Sequence, residues 1–117
     1  MQQSDFVMTP AIYQILLSLA DTDRHGYGIM QEVDGRTGGE VSLGPGTLYR
    51  SIKRLRAALL IESADAVGGD SNEDDRRRVY RITPEGRAAL QAEARRLERL
   101  VAHAHLKRVI GGTERAS

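Results

Sequence analysis

The strongest constraint on the fold is the long amphipathic pattern in the last third of the chain. Thr83-Pro84 is a typical helix start, because a threonine hydroxyl caps the first turn and a proline there loses no hydrogen bond. The pattern predicts a helix from Pro84 to about Ile110, ended by Gly111-Gly112. A helix of about 25 residues is roughly 38 Å long, more than a small N-terminal unit can cover. Its apolar stripe therefore needs a partner, most simply the same helix of a second copy.

The expected dimer contacts follow from this stripe. Apolar residues recur at three- and four-residue steps along the last helix, and the first helix has enough apolar residues to serve two partners. The predicted dimerisation residues are Leu90, Ala94, Leu97, Leu100, Val101 and Ala104 of the last helix, with Ile12 and Leu16 of the first.

Three shorter helices are predicted before the long one. Thr9-Pro10 repeats the start signal and opens a first helix, and the polar cluster from Asp21 to Gly26 ends it as a turn. A second helix runs from about Tyr27 to Arg36, and a third begins at Gly44-Pro45 after a glycine-rich turn. This spacing is typical of a helix-turn-helix whose last member is the recognition helix.

The third helix has two chemically different faces. On a helical wheel Leu48, Ile52 and Leu55 form one stripe, while Arg50 and Lys53 lie roughly opposite. Residues 45–58 hold four cations and no carboxylate. Such a helix suits insertion into a DNA major groove, although on charge alone it fits a solvated helix face equally well.

The pattern changes period after the third helix and predicts a β-hairpin. Ile61–Ala64 and Val79–Ile82 are its strands, joined by a long polar connection that we expect to be mobile. Arg76, Arg77 and Arg78 precede the second strand and suit contact with a DNA backbone or minor groove. The acidic stretch 70–75 would be repelled by phosphates. We expect it to turn away from DNA or to pair with the arginines; a solvated loop without a role fits equally well.

Composition excludes several classes of protein. A length of 117 residues with 40% hydrophobic content fits one small domain plus an extra helix. The chain has no cysteine for disulfides or thiolate sites, no apolar run of membrane-spanning length and no signal peptide, so we expect a soluble cytoplasmic protein. His103 and His105 lie about 200° apart on a helix and cannot share a metal ion. No catalytic spacing is present, so neither an enzyme nor a cofactor is predicted.

Three sequence blocks narrow the fold further. The blocks His25–Ile29, Leu43–Tyr49 and Arg78–Gly86 resemble, in order and separation, the PadR family of bacterial transcriptional regulators. The resemblance covers roughly residues 8 to 108 and is to the compact branch with a single C-terminal helix. The predicted fold is mainly α with a small β-hairpin, a winged helix-turn-helix plus a long C-terminal dimerisation helix. The expected parts are a flexible arm (1–8), the DNA-binding domain (9–83), the dimerisation helix (84–110) and a disordered tail (111–117).

This resemblance implies a homodimeric repressor of a partly palindromic DNA operator, released by a small-molecule effector or a stress signal. It implies that Tyr27, Thr47 and Tyr49 lie at the DNA, although Tyr49 could instead flank the core. With the cationic face and the arginines of the hairpin, the predicted DNA contacts are Tyr27, Gly46, Thr47, Tyr49, Arg50, Lys53, Arg54, Arg76, Arg77 and Arg78.

The chain departs from the common family pattern at two positions. Arg50 stands where proline often follows the tyrosine, and it adds a donor that can reach a guanine or a phosphate. Leu59 stands where a glycine commonly ends the recognition helix, so we expect the left-handed glycine cap to be replaced by another exit.

A function from another class also fits the predicted fold. A winged-helix module that binds proteins and no longer binds DNA is consistent with the acidic stretch 70–75.

The long helix has no aromatic residue on which a flat effector would stack. A pocket between the dimer helices would then be lined by Leu, Val and Ala, with Phe6 and Tyr13 contributing from the N-terminal part; a filled interface that holds no ligand also fits.

Overall fold

Four helices and three strands make up the computed structural model, which describes residues 6–64 and 78–111. Arg76, Arg77, the acidic stretch 70–75 and most of the predicted arm and tail lie outside these residues. Within them the mainly helical fold with a small antiparallel sheet is confirmed. The elements are α1 (Pro10–Ser18), β1 (Arg24–His25), α2 (Gly26–Arg36), α3 (Pro45–Ala57), β2 (Ile61–Ser63), β3 (Val79–Ile82) and α4 (Pro84–Leu106).

The sheet has three strands where the sequence predicted two. β2 and β3 form the expected antiparallel hairpin, with Ile61 opposite Ile82. On its other edge β3 pairs with β1, in the order β1-β3-β2. The prediction that residues 21–26 form only a turn is therefore wrong for Arg24 and His25. The Arg24 side chain Nε donates to the carbonyl of Ser18 at 2.7 Å, which fixes this strand at the end of α1.

All four helices contribute to the apolar core. The predicted packing face of α3, Leu48, Ile52 and Leu55, is fully or almost fully buried there. Ile12 and Leu16 of α1 are 1% and 0% exposed. Both side chains are therefore core residues of this chain in this conformation and are not available to a second copy.

α3 ends in the left-handed conformation that the sequence predicted to be absent. Leu59 has a φ of 64°, although it is not a glycine. Its N–H bonds the carbonyl of Arg56, and the N–H of Leu60 bonds the carbonyl of Leu55 at 2.9 Å. These two bonds define a Schellman end, so the prediction of another exit is wrong. The leucine tolerates this strain because Leu55 and Leu60, both buried, hold the chain there.

Leu59→Gly should stabilise the fold by about 0.5–1 kcal/mol. The left-handed conformation costs a residue with a Cβ roughly 1–2 kcal/mol, which glycine would not incur. Part of this gain is offset because glycine loses more conformational entropy on folding. The Leu59 side chain is 69% exposed, so little burial is lost. Urea unfolding at equal protein concentration measures the difference. The matched variant Leu59→Ala keeps the Cβ, and an equal gain from it would rule out this explanation.

One threonine connects the end of α3 to the start of α4. Thr83 Oγ1 donates to the carbonyl of Leu59 at 2.7 Å and accepts from the N–H of Gly86 at 2.9 Å. The backbones approach so closely that a Cβ on Gly86 would lie 2.0 Å from the Leu60 carbonyl oxygen. The direction of α4 relative to the recognition helix is thus fixed at this junction.

α4 is covered by the rest of the chain only along its first part. Gly86 and Leu90 are buried, and Arg87 Nη2 donates to the carbonyl of Ala20 at 3.1 Å. Farther along, Leu100 and Val101 are each 48% exposed. The distal apolar stripe is therefore exposed on this chain. None of the helices within the described ranges has the length and apolar character of a membrane span.

Candidate nucleic-acid interface

The recognition helix α3 begins on the protein surface. Gly44 is its N-cap and makes no side-chain capping bond, and residues 44–47 are all exposed. The first N–H groups of a helix have no partner within the helix and carry the positive end of its dipole. This end of α3 is therefore open to an anionic group such as a phosphate.

Four exposed cations project from α3. Arg50, Lys53, Arg54 and Arg56 are all exposed, and the helix contains no carboxylate. Within the described ranges none of the four forms an ion pair with an acidic side chain. Their charge is therefore left uncompensated on one surface, which attracts a polyanion.

Most of these residues surround one hollow between α3 and the sheet. It has a volume of about 960 Å³ and extends from the first turn of α3 to Tyr80 on β3. The structure thus brings together four of the predicted contacts, and it adds Arg56, which was not predicted as a contact. The lining residues are Gly46, Tyr49, Arg50, Ile52, Lys53, Arg56, Ala57 and Tyr80.

At the rim of this hollow Arg50 lies along the first turns of α3. Its Nη2 atom is 3.5 Å from Thr47 Oγ1, a weak hydrogen bond between exposed groups. A Cβ on Gly46 would be in ordinary contact with Arg50 at 3.5 Å. The fold therefore does not require glycine at this position, but its absence of a side chain leaves the helix backbone open to a close approach.

The two tyrosines differ in their surroundings. Tyr49 is half-buried and packs against the first residue of α2, where a Cβ on Gly26 would lie 2.5 Å from its hydroxyl oxygen. Gly26 was not predicted as important, because nothing in the periodicity shows that a ring from α3 lies over it. Tyr27 is exposed, and its hydroxyl accepts a 3.4 Å hydrogen bond from Gln31 Nε2. Tyr27 thus presents a phenol on the surface, whereas Tyr49 also holds α2 against α3.

The hollow is not lined by four of the predicted contacts that the structure describes: Tyr27, Thr47, Arg54 and Arg78. The guanidinium carbon of Arg54 lies over the Phe6 ring, 5.2 Å from the ring centre. Arg78 is 5% exposed, so its side chain is buried at the start of β3 and is not part of the outer surface. Arg76 and Arg77 lie outside the described residues.

Two acidic groups on the elements that pack beside α3 are paired with arginines. On the hairpin, Arg81 Nε lies 3.0 Å from Glu62 Oε2. On α2, a hydrogen bond from Arg36 lowers the pKa of Glu32, so this carboxylate remains charged and paired at neutral pH. No group of three or more potential metal ligands occurs within residues 6–64 and 78–111. The chemistry of this surface is therefore that of a cationic binding face.

Comparison with known proteins places this geometry in a family. The sequence profile of the transcriptional regulator PadR-like family matches residues 15–92. Transcriptional regulator Rv3488 of Mycobacterium tuberculosis strain H37Rv is 43% identical over 99 residues, which cover 84% of this chain and 80% of the relative.

Solved structures with the same fold include two from this family. A PadR family transcription regulator from Clostridium difficile has a TM-score of 0.63 and 26% identity, covering 85% of this chain and 97% of that one. Bacillus subtilis PadR, solved in complex with operator DNA, has a TM-score of 0.59 and 20% identity over 74% of this chain and 47% of its own.

Proposed function

This chain belongs to the PadR-like family of transcriptional regulators and is not an enzyme, and on that premise we propose that it is a homodimeric repressor. Each protomer inserts α3 into the major groove of double-stranded DNA. The two protomers together bind a partly palindromic operator, and they leave it when an effector or stress signal arrives. Such a regulator acts in the cytoplasm, where the DNA is.

The observation that carries this proposal is the charge on α3. Four exposed cations with no acidic partner in the described part of the chain lie on the helix that the fold presents at its surface. An arginine can donate two bonds to the O6 and N7 atoms of a guanine, and a lysine suits a phosphate. Bacillus subtilis PadR, which shares this fold, was solved in complex with operator DNA, and this supports DNA as the proposed ligand.

The exposed part of α4 supports the homodimer. Leu100 and Val101 lie on the same stripe as Leu97 and Ala104, which are half-buried, beyond the part that the chain itself covers. Two copies paired along this stripe would be related by a two-fold axis. A two-fold dimer presents two recognition helices, which explains why a partly palindromic operator is expected.

Two hollows beside α4 support release by a small molecule. One, of about 350 Å³, is lined by Phe6 together with Met8, Leu60 and Ala89, and the other, of about 270 Å³, is lined by Tyr13. The two aromatic residues, expected at one pocket between dimer helices, thus lie at two separate hollows of one chain. Both hollows adjoin Glu93 and Arg96, so a ligand there would bring an apolar body and a polar group.

DNase footprinting over the region upstream of the protein's own gene tests the proposal. A protected, partly palindromic segment would support it, and light scattering of the same sample should give the mass of a dimer. Absence of protection even at low salt would contradict DNA binding and favour the alternative of a winged-helix protein-interaction module.

Val101→Glu should convert the dimer to a monomer and weaken operator binding by at least tenfold. A charge placed in an apolar seam must be desolvated without a partner in both protomers, which costs several kcal/mol. Light scattering and the footprint measure the two effects. The control Ala102→Glu changes an exposed neighbour on another side of α4. If both variants dissociated the dimer equally, the dimer interface would not be the stripe that contains Val101.

A further inference from the structure

We propose that Phe6 is a positioning residue that orders Arg54 for contact with DNA, an inference that rests on the proposed function. The guanidinium carbon of Arg54 lies 5.2 Å from the centre of the Phe6 ring, which is a cation–π distance. Phe6 is the only phenylalanine of the chain. The contact joins the segment before α1 directly to the recognition helix.

Phe6 is held in place by packing against the rest of the chain. The ring is half-buried and packs against the core, and it lines the hollow formed with Met8, Leu60 and Ala89. Arg54, by contrast, is exposed and has no acidic partner among the residues described. The ring is therefore the anchored member of the pair, and the guanidinium is the member that the contact orders.

Arg54 lies at the edge of the cationic face of α3, next to Arg50 and outside the hollow. Arg50, Lys53 and Arg56 line the hollow next to the sheet, and Arg54 does not. It also lies one turn after Arg50, whereas the N-terminal residues of a recognition helix contact the bases. A cation at the flank of the helix is placed to contact a phosphate, which fixes the register of the protein on the duplex.

The contact with Phe6 leaves the donors of Arg54 available. A guanidinium has five N–H donors and a phenyl ring has no lone-pair acceptor, so the ring does not take the place of a phosphate oxygen as their partner. An unrestrained arginine loses considerable side-chain entropy when it binds. Phe6 restricts the side chain before DNA arrives, so the loss on binding is smaller and the affinity is higher.

A double-mutant cycle with salt titration tests this role on the full-length protein and its footprinted operator. Phe6→Leu should weaken binding about three- to fivefold with an unchanged dependence on salt, because the charge of Arg54 remains. Arg54→Ala should weaken binding and reduce the salt slope by about one. In the Arg54→Ala background Phe6→Leu should have no further effect. Phe6→Tyr keeps the ring and should bind like the unchanged protein.

Three results would overturn the inference. Equal weakening by Phe6→Leu in both backgrounds would mean that Phe6 acts through the fold alone. Tighter binding by Phe6→Leu would mean that the ring withholds Arg54 from DNA. A weakened Phe6→Tyr variant would show that the ring itself is not what matters.

NMR of the side chain Nε–Hε group of Arg54 in the free protein separates this inference from the proposed function. A ring-current shift and restricted motion, both lost in Phe6→Leu, are expected whether or not DNA binds. If the unchanged protein bound no DNA, the proposed function and the role of Phe6 in binding would both fail. The NMR result would still decide whether Phe6 orders Arg54.

Discussion

Arg50→Ala is expected to weaken operator binding by about ten- to a hundredfold. Arg50 stands near the N-terminal end of α3, at the rim of the hollow, without an acidic partner in the described residues. A bidentate contact between an arginine and a guanine contributes roughly 1–3 kcal/mol of discrimination. Titration of the operator, and of the same operator with each guanine replaced, measures the loss and identifies the base.

A charge-matched control separates base contact from general electrostatics. Arg95→Ala removes an exposed arginine of α4, away from α3, and should change affinity only slightly. Unchanged affinity in Arg50→Ala, with the dimer intact, would show that the recognition face has been assigned wrongly even if the protein binds DNA. Equal losses in both variants would indicate binding by net charge alone.

Gly86→Ala is expected to destabilise the fold by about 3 kcal/mol or more. A Cβ at this position would lie 2.0 Å from the Leu60 carbonyl oxygen and 2.9 Å from Ile82 Cγ1. The first obstacle is backbone, so relief requires α4 to move away from β2, and overpacking of this kind costs roughly 1–3 kcal/mol or more. Thermal unfolding at fixed protein concentration should show a decrease of at least 10 °C, at roughly 4 °C for each kcal/mol.

The same substitution at Gly35 is expected to stabilise the fold instead. Gly35 lies in α2, and a Cβ there would meet no atom within 4 Å. Alanine is favoured over glycine in a helix by roughly 0.5–1 kcal/mol, so this variant should unfold at a higher temperature. If Gly86→Ala unfolded at or above the temperature of the unchanged protein, the close approach of α4 to β2 would be absent in solution.

Local signals in the sequence were sufficient for most of the helices. The Thr-Pro pairs correctly predicted where α1 and α4 begin, because capping depends on residues within one turn. β1 was missed because its two residues show no alternation and are a strand only through pairing with β3, far along the chain. Leu59 was mispredicted because intrinsic preference argues against its φ, whereas the contacts of Leu55 and Leu60 impose it.

The candidate site was predicted only in part, because sequence patterns show local structure and not contacts between distant segments. A helical wheel indicates which side of α3 faces outward, and Arg50 and Lys53 are indeed exposed. It does not show what lies beside the helix, so the contact of Arg54 with Phe6 and the packing of Tyr49 on Gly26 were not foreseen. The burial of Arg78 was likewise beyond sequence patterns, because it depends on how the sheet packs.

The hydrogen bonds of Thr83 couple the orientation of α4 to that of α3. α3 ends and α4 begins within one set of hydrogen bonds, so the two helices should turn together rather than bend independently. A helix of 23 residues is about 35 Å long. A tilt of about 5° at one end displaces the other by roughly 3 Å, close to the ~3.4 Å rise of one base pair. In the proposed dimer, a change of a few degrees between the two α4 helices would thus shift the spacing of the two α3 helices by about one step of the DNA.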